Sequence, residues 1–140
     1  MKEFVKLLEK IGIAHELHDG KVVVTDRANF RYSEIAAIPD GVTFNDWAYF
    51  SGCTSLNAIG NGVTFGGEAY FSGCKALTAI GNGVTFGDWA DFSGCAALTA
   101  IGNGVTFGGE AYFCGCKALT TIGDNVTFND WADFSACTAE

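Results

Sequence analysis

Gly60–Ile80 reads GNGVTFGGEAYFSGCKALTAI, and Gly102–Ile122 reads GNGVTFGGEAYFCGCKALTTI, a copy with two changes. Between them, Gly81–Ile101 reads GNGVTFGDWADFSGCAALTAI, which differs from the first at four positions. The chain therefore repeats every 21 residues, and more faithfully every 42. Aligning on Val42, Val63, Val84, Val105 and Val126 drops the other apolar residues into columns. One is Phe44, Phe65, Phe86, Phe107, Phe128; a second is Ala48, Ala69, Ala90, Ala111, Ala132. A third is Phe50, Phe71, Phe92, Phe113, Phe134, and a fourth is Cys53, Cys74, Cys95, Cys116, Cys137. Leu56, Leu77, Leu98, Leu119 and Ile38, Ile59, Ile80, Ile101, Ile122 complete the set. Identical apolar residues at a fixed period are what a solenoid requires, because one coil cannot close a core alone and buries its apolar side against the next.

The segment EAYFS alternates, with Ala69 and Phe71 inward and Glu68, Tyr70 and Ser72 outward, the pattern of a half-buried strand. VTF behaves likewise, with Thr64 outward. Gly-Asn-Gly marks the turns at 60–62, 81–83 and 102–104, since Gly and Asn accept positive φ. The polar column Asp40, Asn61, Asn82, Asn103, Asp124 at that corner reads as side chains bonding to backbone. A degenerate earlier coil is legible in Val22, Val24, Ala28, Phe30, Ile35 and Ile38 if one residue is missing after Phe30. Ahead of it, Phe4, Leu7, Leu8 and Ile11 share one helical face, with Lys2, Glu3, Lys6, Glu9 and Lys10 opposite, and Gly12 as a stop. IAHELHDGKVVV then reads as a strand, an Asp19-Gly20 turn and the first repeat strand.

The net charge of −8 is unevenly placed. Residues 1–39 carry six Lys/Arg and six Asp/Glu, whereas 40–140 carry two lysines and ten acids. That argues against direct nucleic-acid or anionic-membrane binding, which needs clustered Lys/Arg, and favours a basic protein partner or one that itself binds nucleic acid. No targeting segment or membrane span is read, so the expected location is cytoplasmic.

No catalytic motif appears, and the expectation is a non-enzyme without cofactor or metal. The cysteine column reads as buried, reduced filler. Cys114 replaces the outward Ser51, Ser72, Ser93 and Ser135 and reads as an exposed serine substitute. His15 and His18 sit three apart on a strand, which sends them to opposite faces and argues against a zinc pair.

The outward columns carry the 42-residue period. One runs Trp47, Glu68, Trp89, Glu110, Trp131; its neighbour runs Tyr49, Tyr70, Asp91, Tyr112, Asp133; Asp46, Asp88 and Asp130 precede the tryptophans. This alternation reads in four ways. It could keep like charges from stacking in a duplicated two-coil unit. It could form a protein-binding face with aromatic hot spots. It could mimic nucleic acid with its acid rows, or offer an aromatic row for sugar rings.

IPDGVTFNDWAYFSGCTSL, residues 38–56, resembles the short bacterial leucine-rich repeats of the BspA type, shortened by loss of a second Ile-x-Ile strand. It is also similar to a compact Gly-Gly repeat of phage and prophage proteins that starts with a helix-and-hairpin cap. The expected fold is a mainly-β solenoid, leucine-rich-repeat-like, in right-handed coils of 21 residues with a small α/β N-terminal cap. The cap covers 1–20, and 21–140 holds one degenerate and five 21-residue repeats, the last truncated. The expected function is non-catalytic protein binding through the acidic-aromatic face. The phage resemblance implies an inhibitor of a host protein, such as a nucleic-acid-binding defence factor of the kind met by anti-CRISPR or anti-restriction proteins. The alternative is an adhesion or carbohydrate-binding leucine-rich-repeat module, since BspA-type proteins are surface adhesins. The last coil stops at FSACTAE without the Leu and Ile of earlier coils, from which a homodimer through the C-terminal coil is expected.

Overall fold

A computed structural model describes residues 2–137. The chain forms a mainly-β solenoid, with one short helix at its start. Helix α1 (Lys2–Ile11) buries Phe4 and Leu8 against the first coil. It ends at Gly12, whose positive φ of 78° lets Gly12 N–H bond Glu9 O and Ile13 N–H bond Leu8 O. Strands β1 (His15–His18) and β2 (Lys21–Val24) form an antiparallel hairpin. Its two-residue turn, Asp19-Gly20, has φ of 53° and 77°. Both positive values match the right-handed twist of the flanking strands.

From β2 onward each coil contributes short strands to three parallel sheets. The first sheet continues through β5 (Thr43–Phe44), β8 (Thr64–Phe65), β11 (Thr85–Phe86), β14 (Thr106–Phe107) and β17 (Thr127–Phe128). The second holds β3 (Ala28–Asn29), β6 (Ala48–Tyr49), β9 (Ala69–Tyr70), β12 (Ala90–Asp91), β15 (Ala111–Tyr112) and β18 (Ala132–Asp133). The third holds β4 (Ala37–Ile38), β7 (Ala58–Ile59), β10 (Ala79–Ile80), β13 (Ala100–Ile101) and β16 (Thr121–Ile122). The third strand adds to the VTF and EAYFS strands legible in the sequence. It forms because Ile59 and its equivalents point inward, while the preceding residue faces out. EAYFS is also shorter as a strand than its alternation suggests: two residues ladder before the chain turns.

Register fixes where the first coil is short. Val24 pairs Phe44 and Ala28 pairs Ala48, twenty apart; Ala37 pairs Ala58, twenty-one apart. Ser33 N–H bonds Phe30 O as Cys53 N–H bonds Phe50 O, so Ser33 stands in the cysteine column. Glu34 alone spans what Thr54 and Ser55 span one coil later.

The core is two stacked phenylalanine columns meeting edge to face. Phe30, Phe50, Phe71, Phe92, Phe113 and Phe134 stack at centroid spacings of 4.7, 4.8, 4.8, 5.3 and 5.1 Å. Phe44, Phe65, Phe86, Phe107 and Phe128 stack at 5.0, 5.0, 5.0 and 4.9 Å. Phe86 meets Phe92 at 5.5 Å and 89°. Phe4 of α1 sits 6.1 Å from Phe30 and covers that end of the stack. In the last described coil Val126, Phe128, Ala132 and Phe134 are only half-buried.

Two polar columns stitch coil to coil. Asp40 Oδ1 accepts the N–H of Asn61, Asn61 Oδ1 that of Asn82, Asn82 Oδ1 that of Asn103, and Asn103 Oδ1 that of Asp124, all at 2.8–2.9 Å. The neighbouring glycines permit this approach: a Cβ on Gly102 would lie 2.6 Å from Gly81 O. The cysteines form the second column. Cys74, Cys95 and Cys116 Sγ each donate at 3.1 Å to the carbonyl of Phe50, Phe71 and Phe92, on the preceding coil. Burial pushes the thiols of Cys74 and Cys116 up to about 12, and that of Cys95 higher. All six cysteines are free thiols, and Cys114 is exposed.

Two predictions follow from this packing. Phe86→Ala lowers unfolding free energy by about 3–5 kcal/mol through the cavity it leaves, and Gly102→Ala by about 1–3 kcal/mol through overpacking; urea denaturation measures both. A thiol reagent under native conditions modifies Cys114 in a single fast phase that Cys114→Ser removes, while Cys53, Cys74, Cys95 and Cys116 react only on unfolding.

Candidate protein-binding face

The outward columns lie on the second sheet and on the corners that lead into it. Tyr49, Tyr70, Asp91, Tyr112 and Asp133 are the second residues of β6, β9, β12, β15 and β18, facing out because the alanine before each faces in. Trp47, Glu68, Trp89, Glu110 and Trp131 lie two positions earlier, at the corner leading into each strand. Parallel in-register pairing therefore lays both columns side by side along the solenoid.

The rings touch along the whole stripe. Trp47 stacks on Tyr49 at 4.0 Å, and Tyr49 meets Tyr70 edge-on at 4.8 Å. Trp89 lies between Tyr70 at 6.4 Å and Tyr112 at 5.2 Å, and Tyr112 meets Trp131 at 5.9 Å. Trp89 and Trp131 remain 37% and 62% exposed, while Trp47 is half-buried.

The carboxylates have different local roles. Asp46, Asp88 and Asp130 each turn Oδ1 to the N–H of the following tryptophan, at 2.7–2.8 Å, and so hold the corner. Glu68 Oε1 accepts the Tyr70 hydroxyl at 2.9 Å, and Glu110 Oε1 accepts that of Tyr112. Asp91 Oδ1 accepts Ser93 N–H, and Asp133 Oδ1 accepts both N–H and Oγ–H of Ser135. The Ser135 donors hold the Asp133 carboxyl below the usual aspartate range. The bond to Glu110 pushes the Tyr112 hydroxyl up to about 12. Burial, then Glu68, raises that of Tyr70 beyond the ordinary tyrosine range.

The two-coil alternation has a steric component. A Cβ on Gly67 would lie 2.7 Å from the backbone carbon of Asp46, and one on Gly109 2.7 Å from that of Asp88. At these two corners the coil before passes too close for a side chain, whereas Asp46 follows the equivalent Asp26 directly.

Two site residues escape a reading of the regular repeat. Asp26 Oδ1 accepts Arg27 N–H at 2.7 Å, just as Asp46 does for Trp47. Arg27 therefore occupies the tryptophan column and Arg31 the Ser51 column of the shortened coil. The Arg27 guanidinium carbon lies 5.7 Å from the Trp47 ring centroid, and that of Arg31 4.6 Å from the Tyr49 centroid. The twenty-residue offset that aligns Ala28 with Ala48 is the signal that finds them.

Away from this face, His18 Nε2 pairs with Glu16 at 2.7 Å and His15 Nδ1 with Ile13 O at 3.0 Å. Among the described residues no group of three or more His, Cys, Asp or Glu side chains is arranged to hold a metal ion. Nor is any helix long and apolar enough to cross a membrane. A cavity of about 490 Å³ lies between α1 and the first coil, lined by Phe4, Leu7, Ile35 and Pro39 and bordered by the exposed Lys10–Glu34 ion pair.

A tyrosine titration tests the Tyr–Glu pairs. Tyr70 and Tyr112 have raised native pKa values, so folding favours their neutral forms. Their contribution to stability is full below the unfolded tyrosine value of about 10 and declines as pH rises through the native values. Absorbance near pH 11 is expected to show incomplete ionisation that denaturation completes, and Glu110→Gln to move Tyr112 downward. No protein-family model, curated protein or solved structure matches the chain.

Proposed function

We propose that the protein is a non-catalytic binding solenoid whose partner docks on the acidic-aromatic stripe. The observation that supports this reading is the unbroken run of ring contacts from Trp47 to Trp131, with Trp89 and Trp131 open to solvent on a backbone held coil by coil. Exposed Trp and Tyr on a rigid support supply contact area at low entropic cost, as binding hot spots do. The acid surplus of residues 40–140 selects a basic partner. In its finer form the reading is a phage-type inhibitor of a host nucleic-acid-binding protein. Within that form, aromatic docking is preferred over phosphate mimicry, because Asp46, Asp88 and Asp130 are turned to the backbone. Neighbouring planes tilt by 33°, 40° and 80°, which makes a poor platform for a flat sugar chain. A homodimer through the half-buried Val126, Phe128 and Phe134 belongs to the same proposal, with mass by light scattering as its check.

The test compares wild type with Trp47/Trp89/Trp131→Ser in capture from bacterial lysate, after circular dichroism has shown both to fold alike. The expected result is a basic protein held by wild type, released by salt and lost in the variant. Equal capture by both overturns the reading.

A further inference from the structure

The chain contains two arginines, and both lie on the stripe. They belong to the shortened coil, where Arg27 replaces a tryptophan-column residue and Arg31 a serine-column residue. Each lays its guanidinium over a ring of the following coil, Trp47 and Tyr49. The first aromatic rung is thus occupied by cations from the chain itself. The later rungs are built alike but have no such cation beside them in sequence. Where Trp47 is followed by Tyr49, Trp89 is followed by Asp91 and Trp131 by Asp133. These two rungs pair an exposed indole with a carboxylate, and Glu110 stands between them. A carboxylate has about four acceptor positions; the bonds from Ser93 and Ser135 reach Oδ1 of each aspartate.

The geometry points to an arginine-bearing extended peptide segment as the ligand of this face, with one guanidinium over Trp89 beside Asp91 and another over Trp131 beside Asp133. The inference rests on the binding reading of the stripe and specifies the partner's chemistry. Guanidinium is the group that stacks on an aromatic plane while forking to a carboxylate, which an ammonium does less well. Spacing narrows the segment further. Trp89 and Trp131 are two coils apart, about 9.6 Å at strand spacing. A polyproline II segment returns to the same face every third residue after about 9.3 Å. Arginine at every third residue of such a segment, lying along the solenoid axis, meets successive tryptophan rungs.

The experiment titrates the whole chain with an acetylated, amidated Pro-Pro-Arg peptide of four repeats. Calorimetry gives affinity, and tryptophan fluorescence gives location, since all three tryptophans of the chain lie on the stripe. Saturable binding with a fluorescence change is expected. Replacing arginine by lysine is expected to weaken it about fivefold, and Asp91→Asn with Asp133→Asn to weaken it as well. Spacing the arginines every fourth residue is expected to weaken it too. Arg27→Ala with Arg31→Ala, both exposed positions, opens the first rung, so affinity is expected to rise. A merely structural role for these arginines would leave it unchanged or lower it. Equal binding of the lysine or respaced peptides, or no gain on removing Arg27 and Arg31, overturns the inference. If the peptide fails to bind while lysate capture still depends on the tryptophans, the arginine assignment alone falls. If capture is also independent of them, the binding reading of the face falls with it.

Discussion

Every column of this molecule obeys one distance, the separation between successive coils. Phenylalanine centroids repeat at 4.7–5.3 Å, the spacing that parallel strand pairing imposes. Backbone clearance is least at the Gly60, Gly81, Gly102 and Gly123 corner, where an added Cβ would come within 2.6 Å of the coil before. Once the backbones are that close, side chains have little freedom. Equivalent rings stack and equivalent amides bond along the axis. The 21-residue period of the sequence is the record of that requirement.

The tie between coils is both polar and apolar. Asparagine carbonyls accept the next coil's amides at the corner, and cysteine thiols donate to the carbonyl of the preceding phenylalanine inside the core. A buried valine or alanine in place of cysteine would fill similar space but leave that carbonyl with one fewer partner. The column is thus apolar packing and weak hydrogen bonding at once. Among the described residues no buried side-chain nitrogen or oxygen lacks a hydrogen-bond partner.

What the sequence made legible is what repeats identically. The apolar columns, the helix from Lys2, the Asp19-Gly20 turn and the corner asparagines all stand where the pattern puts them. The third strand was hidden because its inward residues, Leu56 and Ile59, are three apart, which breaks the alternation that marks a strand. Arg27 and Arg31 were hidden because the coil that carries them is one residue short, which shifts them out of the 21-residue frame. The steric part of the alternation was hidden because it depends on backbone clearance at Gly67 and Gly109, a quantity that no residue type announces. The alternation of Lys75 and Lys117 with Thr54 and Ala96 is not explained by the structure.

Clearance accounts for the glycines but not for the tryptophans. The core shows what an aromatic column does when it repeats in every coil: neighbouring planes within each phenylalanine column lie within 5° of each other, and each ring covers the next. A tryptophan in every coil of the outer column would follow the same geometry and spend its faces on its neighbours. With glutamate in alternate coils, Trp89 instead meets Tyr70 and Tyr112 at 40° and 33° and remains exposed. Breaking the period outside, while keeping it inside, leaves Trp89 and Trp131 partly exposed two coils apart. The outer rings still tie neighbouring coils, since the Tyr70–Trp89, Trp89–Tyr112 and Tyr112–Trp131 contacts all cross between them, but at tilts that leave part of each later indole uncovered.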